Sequence, residues 1–160
     1  MTDRLKIAVA QLNPTVGDIG GNIAKLRLAR QEAASLGADL VVASELYVAG
    51  YPPEDLVLKP GFMAACEAAS RAFARETKTG PGVLFGTPWR QDGKRYNAAV
   101  LADGGTIASL RFKYDLPNYG VFDEKRVFAA GPCPGPVPFR GVRLGVMICE
   151  DMLSPDATET

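Results

Sequence analysis

The sequence predicts an α/β fold with a mixed sheet and helices packed on one face. Six apolar runs rich in Val, Ile and Leu are bounded by turn residues. Two helical stretches fall between the first three runs, and two glycine-bearing turns join later ones with no room for a helix.

The first strand is "LKIAVAQL" (5–12). A helix follows within "GGNIAKLRLARQEAASLGA", where Ile23, Leu26, Leu28, Ala29, Ala33 and Leu36 form the apolar stripe. Asn22 is its expected N-cap and Gly37 its stop. "ADLVVASEL" (38–46) is the second strand, and "FMAACEAASRAFARET" (62–77) the second helix, with Phe62, Ala65, Cys66, Ala69 and Phe73 on one face. Three strands then come in succession: "GVLFGTP" (82–88), "YNAAVLA" (96–102) and "TIASLRFK" (106–113). The turns "QDGK" (91–94) and "DGG" (103–105) make them hairpins. "GPCPGPVP" (131–138) is too rich in Pro and Gly for regular structure and is expected as an ordered loop. "VRLGVMIC" (142–149) is the last strand, and "LSPDATET" follows it without a closing helix, which reads as part of a longer protein.

With 160 residues the chain has room for one domain and its core. Eighteen basic and eighteen acidic residues balance, so nothing points to nucleic acid or an anionic membrane as a partner. No run approaches transmembrane length, and "MTDRLKIAVAQL" has no apolar signal region. Cys66, Cys133 and Cys149 are odd in number and widely spaced, a pattern of reduced thiols in a cytoplasmic protein. There is no histidine, which excludes Ser-His and Cys-His catalysis and most zinc sites within the chain; no metal site is expected.

Reactive groups in open α/β sheets collect where strands end. Glu45 closes "DLVVASE", Lys113 closes "TIASLRFK" and Cys149 closes "VRLGVMIC". Each has an ordinary alternative: a buried inert thiol, a carboxylate facing water, a solvated ammonium. Together they deliver complementary chemistry to one rim. A carboxylate in a dry pocket can take a thiol proton, and an ammonium favours the thiolate and stabilises an oxyanion. The backbone N–H of Glu150 offers a second oxyanion donor. Such a set suits nucleophilic acyl transfer at a carbon–nitrogen bond. Cys66 and Cys133 are read as structural.

Glu45 in "ASELYVAGYPPEDL", Lys113 in "FKYDLPNYGVFDEKRVF" and Cys149 in "VMICEDM" resemble the Glu-Lys-Cys triad of the nitrilase superfamily. Within it, "YPPEDL", "LPNYGVFDE" and "ICEDMLSPD" are most similar to the glutaminase domains of glutamine-dependent NAD⁺ synthetases. The resemblance implies an αββα sandwich with a mixed sheet, of which residues 1–160 would be the N-terminal portion. It implies Glu45 as general base, Lys113 as oxyanion-stabilising lysine and Cys149 as nucleophile. Glu124 would position the lysine and substrate, and Tyr119 would line the glutamine pocket; a salt bridge to Lys125 or Arg126, and plain loop packing, are their alternatives. The implied reaction converts glutamine to glutamate and ammonia through a thioester. The ammonia would serve a synthetase domain, absent here, that aminates nicotinic acid adenine dinucleotide with ATP and Mg²⁺. The glutaminase domain itself would need no cofactor, and a homo-oligomer is implied. The rival readings are a stand-alone amidase, carbamoylase or nitrilase, and an inactive truncated domain with a structural role.

Overall fold

The computed structural model describes residues 4–159. Met1–Asp3, at the start of the stretch read for a signal region, and Thr160, at the end of "LSPDATET", lie outside them. Five strands form one mixed sheet in chain order: β1 (Ile7–Val9), β2 (Leu40–Val42), β3 (Gly82–Gln91), β4 (Lys94–Asp103) and β5 (Thr106–Phe112). β1, β2 and β3 run parallel, and β3, β4 and β5 are antiparallel neighbours. The parallel pairs need crossovers, and α1 (Ile19–Ser35) and α2 (Pro60–Ala74) supply them. The antiparallel strands need only two-residue turns. Asp92-Gly93 and Gly104-Gly105 both take the left-handed backbone that such hairpins require.

Both helices lie on one face of the sheet, as expected. Leu26 and Ala33 of α1 and Cys66 and Phe73 of α2 close over Val41, Val83, Phe85 and Val100. The predicted stripes need correction at their margins. Leu28 on α1 and Leu36 at its C-cap are 66% and 70% exposed, because the buried face follows Ile23, Leu26 and Ala33. On α2, Met63 and Ser70 are buried and Ala65 is exposed. Asn22 is not the N-cap. Asp18 caps α1 by accepting from Gly21 N–H, and Asn22 is buried inside the first turn. Its amide bonds Thr15 and the carbonyl of Val48, tying the helix start to the loop after β2.

The opposite face carries a second layer. β6 (Val137–Phe139) and β7 (Val142–Leu144) form a hairpin whose Arg140-Gly141 turn has positive φ at both residues. Val137 and Phe139, with Val146 and Ile148, pack on Leu40, Ala99 and Leu101. Two expectations change here. Part of the 131–138 loop is a strand, since Val137 and Phe139 find a partner in β7. The 142–149 strand pairs only over its first three residues. Gly145–Ile148 keeps a strand's alternation, with Val146 and Ile148 buried and Met147 exposed, but has no ladder partner among the described residues. The tail after Leu153 also differs from expectation, forming a helical turn, α4 (Pro155–Thr158). A further short helix, α3 (Glu124–Val127), precedes the second layer. Among the described residues, no helix is long and apolar enough to cross a membrane.

Candidate active site

Of the three predicted site residues only Lys113 directly follows a strand, and each is held by a different local device. β2 stops at Val42, so Glu45 lies in a turn beyond the strand rather than at its last residue. That turn crosses β3 directly over Gly86. Gly86 N–H donates to Ser44 O and its carbonyl accepts from Val48 N–H. A Cβ at Gly86 would lie 2.2 Å from Leu46 N, so only glycine lets the turn lie this low. Glu45 thereby reaches across β3 to the groups of β4 and β5.

Lys113 is the first residue past β5, its backbone N–H still bonded to Asn97 O of β4. Its side chain is completely buried, and Nζ donates at 2.8 Å to both Glu45 Oε1 and Glu124 Oε1. Burial works against the ammonium, but hydrogen bonds and charge from the two carboxylates outweigh it and hold its pKa above the ordinary value. Glu124, on the first turn of α3, is buried too. Desolvation raises its pKa, only partly countered by Lys113. Its Oε2 has no hydrogen-bond partner among the described residues. The alternative salt bridge to Arg126 does not form; that guanidinium pairs with Asp123, Asp55 and Glu54 instead.

Cys149 lies at a sharp turn from extended chain into the helical turn Cys149–Leu153, with φ of +48°. A non-glycine residue in this region costs about 1–3 kcal/mol and persists only where its surroundings enforce it. Asp151 enforces it. Its buried carboxylate accepts from Ile148 N–H on one oxygen and from Tyr114 and Asp115 N–H on the other. One side chain thus staples the cysteine turn to the backbone immediately after Lys113. Cys149 and Glu45 line a common cavity between the sheet and the Val146–Ile148 segment. Desolvation and the Glu45 charge raise the thiol's pKa, while Lys113 and the Glu150 backbone N–H pull it down. The net shift is upward, so the resting group is a thiol that needs a base.

Tyr119 and Glu150 pair with each other and are not among the residues that line this cavity. The Tyr119 hydroxyl donates to the Glu150 carboxylate at 3.0 Å, and its ring meets Phe122 edge-on. Cys66 is buried against the helix-side core, where desolvation pushes its thiol to about 12, and Cys133 is exposed away from the cavity. Sequence reasoning missed three contributors. Asn97, 1% exposed in the middle of β4, donates to Glu45 Oε1 at 2.7 Å. Asp151 was visible only as a charge near the thiol. Tyr51 lines the neighbouring cavity with Glu124, and burial together with the Glu45 and Glu124 charges raises its phenol. A polar residue inside the apolar run "YNAAVLA" was the available signal for Asn97.

Comparison with known proteins identifies the family. The carbon-nitrogen hydrolase family model matches residues 6–159. A glutamine-dependent NAD(+) synthetase of Rhodobacter capsulatus is 42% identical over 156 residues, 98% of this chain and 28% of the relative. That of Thermotoga maritima is 42% identical over 153 residues, 95% and 26% of the respective chains. The chain thus spans little more than a quarter of these relatives. Among solved structures, a glutamine-dependent NAD⁺ synthetase from Acinetobacter baumannii superposes with a TM-score of 0.90 at 36% identity, over 97% of this chain and 29% of that one. An amidase from Nesterenkonia superposes with a TM-score of 0.81 at 25% identity, over 96% and 58%. With the family pattern running through nearly every described residue, the chain belongs to the carbon-nitrogen hydrolases.

Proposed function

We propose that the chain is the glutaminase part of a glutamine-dependent NAD⁺ synthetase, hydrolysing the side-chain amide of glutamine at Cys149. The observation that carries this reading is the buried Lys113 ammonium shared by Glu45 and Glu124, with Cys149 on the cavity that Glu45 lines. The naming of the relatives supports glutamine as the amide.

Glu45 takes the Cys149 proton as Sγ attacks the amide carbon. The Sγ–C bond forms and the carbonyl becomes an oxyanion, held by Lys113 Nζ and the Glu150 backbone N–H. Glu45 returns the proton to the amide nitrogen, the C–N bond breaks, and ammonia leaves a γ-glutamyl thioester. A water then gives its proton to Glu45 and attacks the thioester. The S–C bond breaks, Cys149 recovers its proton, and glutamate departs. The unpartnered Glu124 Oε2 is an acceptor for the substrate's amide N–H. In support of a nucleophilic cysteine, a glutamate-to-leucine mutant of a Nesterenkonia amidase, 25% identical to this chain, carries the acetamide moiety of fluoroacetamide on its active-site cysteine.

The ammonia would pass to a synthetase domain in a longer protein, which aminates nicotinic acid adenine dinucleotide. ATP and Mg²⁺ belong to that step. Mg²⁺ does not fit this site, because Lys113 fills the place between the carboxylates that a cation would need. The similarity to the amidase favours a second reading, hydrolysis of simple amides. Ammonia release from glutamine, measured beside a panel of amides and nitriles, separates the two; turnover of the panel without glutamine would overturn the glutaminase reading. A thiol-reactive glutamine analogue should label Cys149, and Cys149→Ser should abolish the label.

A further inference from the structure

Glu45 must present one carboxylate oxygen to the thiol while the other stays fixed on Lys113. A glutamate has three rotatable bonds, and Lys113 alone holds a single oxygen. Asn97 supplies the missing constraint. Its Nδ2–H donates to the same Oε1 that Lys113 binds, at 2.7 Å against 2.8 Å, so that oxygen is held from two directions. Glu45 Oε2 has no hydrogen bond among the described residues and is left for the reacting proton.

The same residue also fixes the partner. Asn97 is central in β4, paired with Pro88 of β3, and its carbonyl accepts Lys113 N–H at 2.8 Å. Backbone and side chain of one residue therefore set both ends of the Lys113–Glu45 ion pair. Asn97 Oδ1 is buried without a partner, a cost with no benefit to packing alone. A neutral amide suits this place. A cationic donor would neutralise the base, and a carboxylate would add a third negative charge around one ammonium.

We propose that Asn97 is a positioning residue for the general base, locking Glu45 Oε1 against Lys113 so that Oε2 faces Cys149. The proposal rests on Glu45 serving as that base, and the test is chosen to be independent of glutamine. Iodoacetamide alkylates Cys149 with loss of iodide, the thiol proton passing to Glu45, so its rate reports the base whatever the natural amide. Asn97→Ala and the nearly isosteric Asn97→Asp are compared with the unmodified protein by Cys149 alkylation across pH, by steady-state kinetics on the best amide substrate, and by thermal unfolding. The expected result is a fall of about 10- to 100-fold in alkylation rate and in kcat for Asn97→Ala, with KM changed by less than about threefold. Asn97→Asp should lose more activity than Asn97→Ala and also unfold at a lower temperature, because its buried carboxylate fills the same space but repels Glu45. Alkylation in Asn97→Ala at the original rate and pH dependence would overturn the proposal. So would equal losses in the two variants that follow their loss of thermal stability, which would make Asn97 a packing residue. Absence of glutamine turnover with these alkylation effects intact would remove the glutaminase reading alone.

Discussion

The Lys113 ammonium meets the Glu45 carboxylate at 2.8 Å with no part of the lysine side chain exposed to solvent. Glu124 closes the other side at the same distance. Removing the cation leaves the buried Glu124 carboxylate and the half-buried Glu45 carboxylate facing each other. Lys113→Met should cost about 3–5 kcal/mol, read from urea unfolding. Turnover should fall by about 10²–10³ or more, because an oxyanion donor is lost as well. The triple variant Lys113→Met, Glu45→Gln, Glu124→Gln should regain most of the stability and none of the activity. The Lys113 pKa is raised on folding, so its stabilisation is complete below the unfolded value near 10.5 and disappears as pH rises through the folded one. Lys113→Met should lack this alkaline phase of unfolding.

The thiol of Cys149 is shifted above its ordinary 9.0, chiefly by desolvation and then by Glu45. At pH 7 its reactivity should therefore depend on a base. Glu45→Gln should slow iodoacetamide labelling at pH 7 by about 10- to 100-fold, with the rate recovering as pH climbs through the thiol's own range. Labelling at pH 7 as fast as in the unmodified protein would contradict base activation.

Gly86 is where the Glu45 turn and β3 touch. Gly86→Ala places a methyl 2.2 Å from Leu46 N and 2.6 Å from the Glu45 carbonyl carbon, both rigid backbone. The turn must lift, at about 1–3 kcal/mol, and Glu45 loses its register with Lys113. A drop in kcat larger than the stability loss would show this. Gly61→Ala is the control, since nothing lies near its added methyl and its φ is ordinary; activity should be unchanged.

Asp151 holds the strained cysteine turn through three backbone N–H groups. Asp151→Ala should destabilise by about 2–4 kcal/mol and slow labelling of Cys149. Asp151→Asn keeps one acceptor oxygen and should lie between. Denaturant titration and labelling rates measured on the same samples would check the order.

Much of the fold was legible because it is written in nearest-neighbour chemistry. Asp92-Gly93 and Gly104-Gly105 can scarcely do anything but turn, so β3, β4 and β5 follow. The 131–148 region was misread because Val137 and Phe139 sit in a Pro-rich stretch, and only pairing with β7 makes them a strand. Leu28 and Leu36 show the same limit on a helix, where the core takes one face and leaves other apolar residues outside.

At the site, Glu45, Lys113 and Cys149 were marked by sequence because a reactive residue at the end of an apolar run is locally conspicuous. Asn97 and Asp151 were not, since an amide or a carboxylate gains meaning only from the donor or acceptor opposite. The sequence by itself determined the order of the first five strands with their two long helices, and the absence of histidine chemistry. Tertiary structure decided that the Lys113 ammonium serves two carboxylates, that Asn97 holds Glu45 Oε1, and that Asp151 staples the Cys149 turn. Local pattern runs over a few residues, whereas Lys113 and Glu45 are 68 positions apart and meet only because Gly86 lets one turn cross a strand.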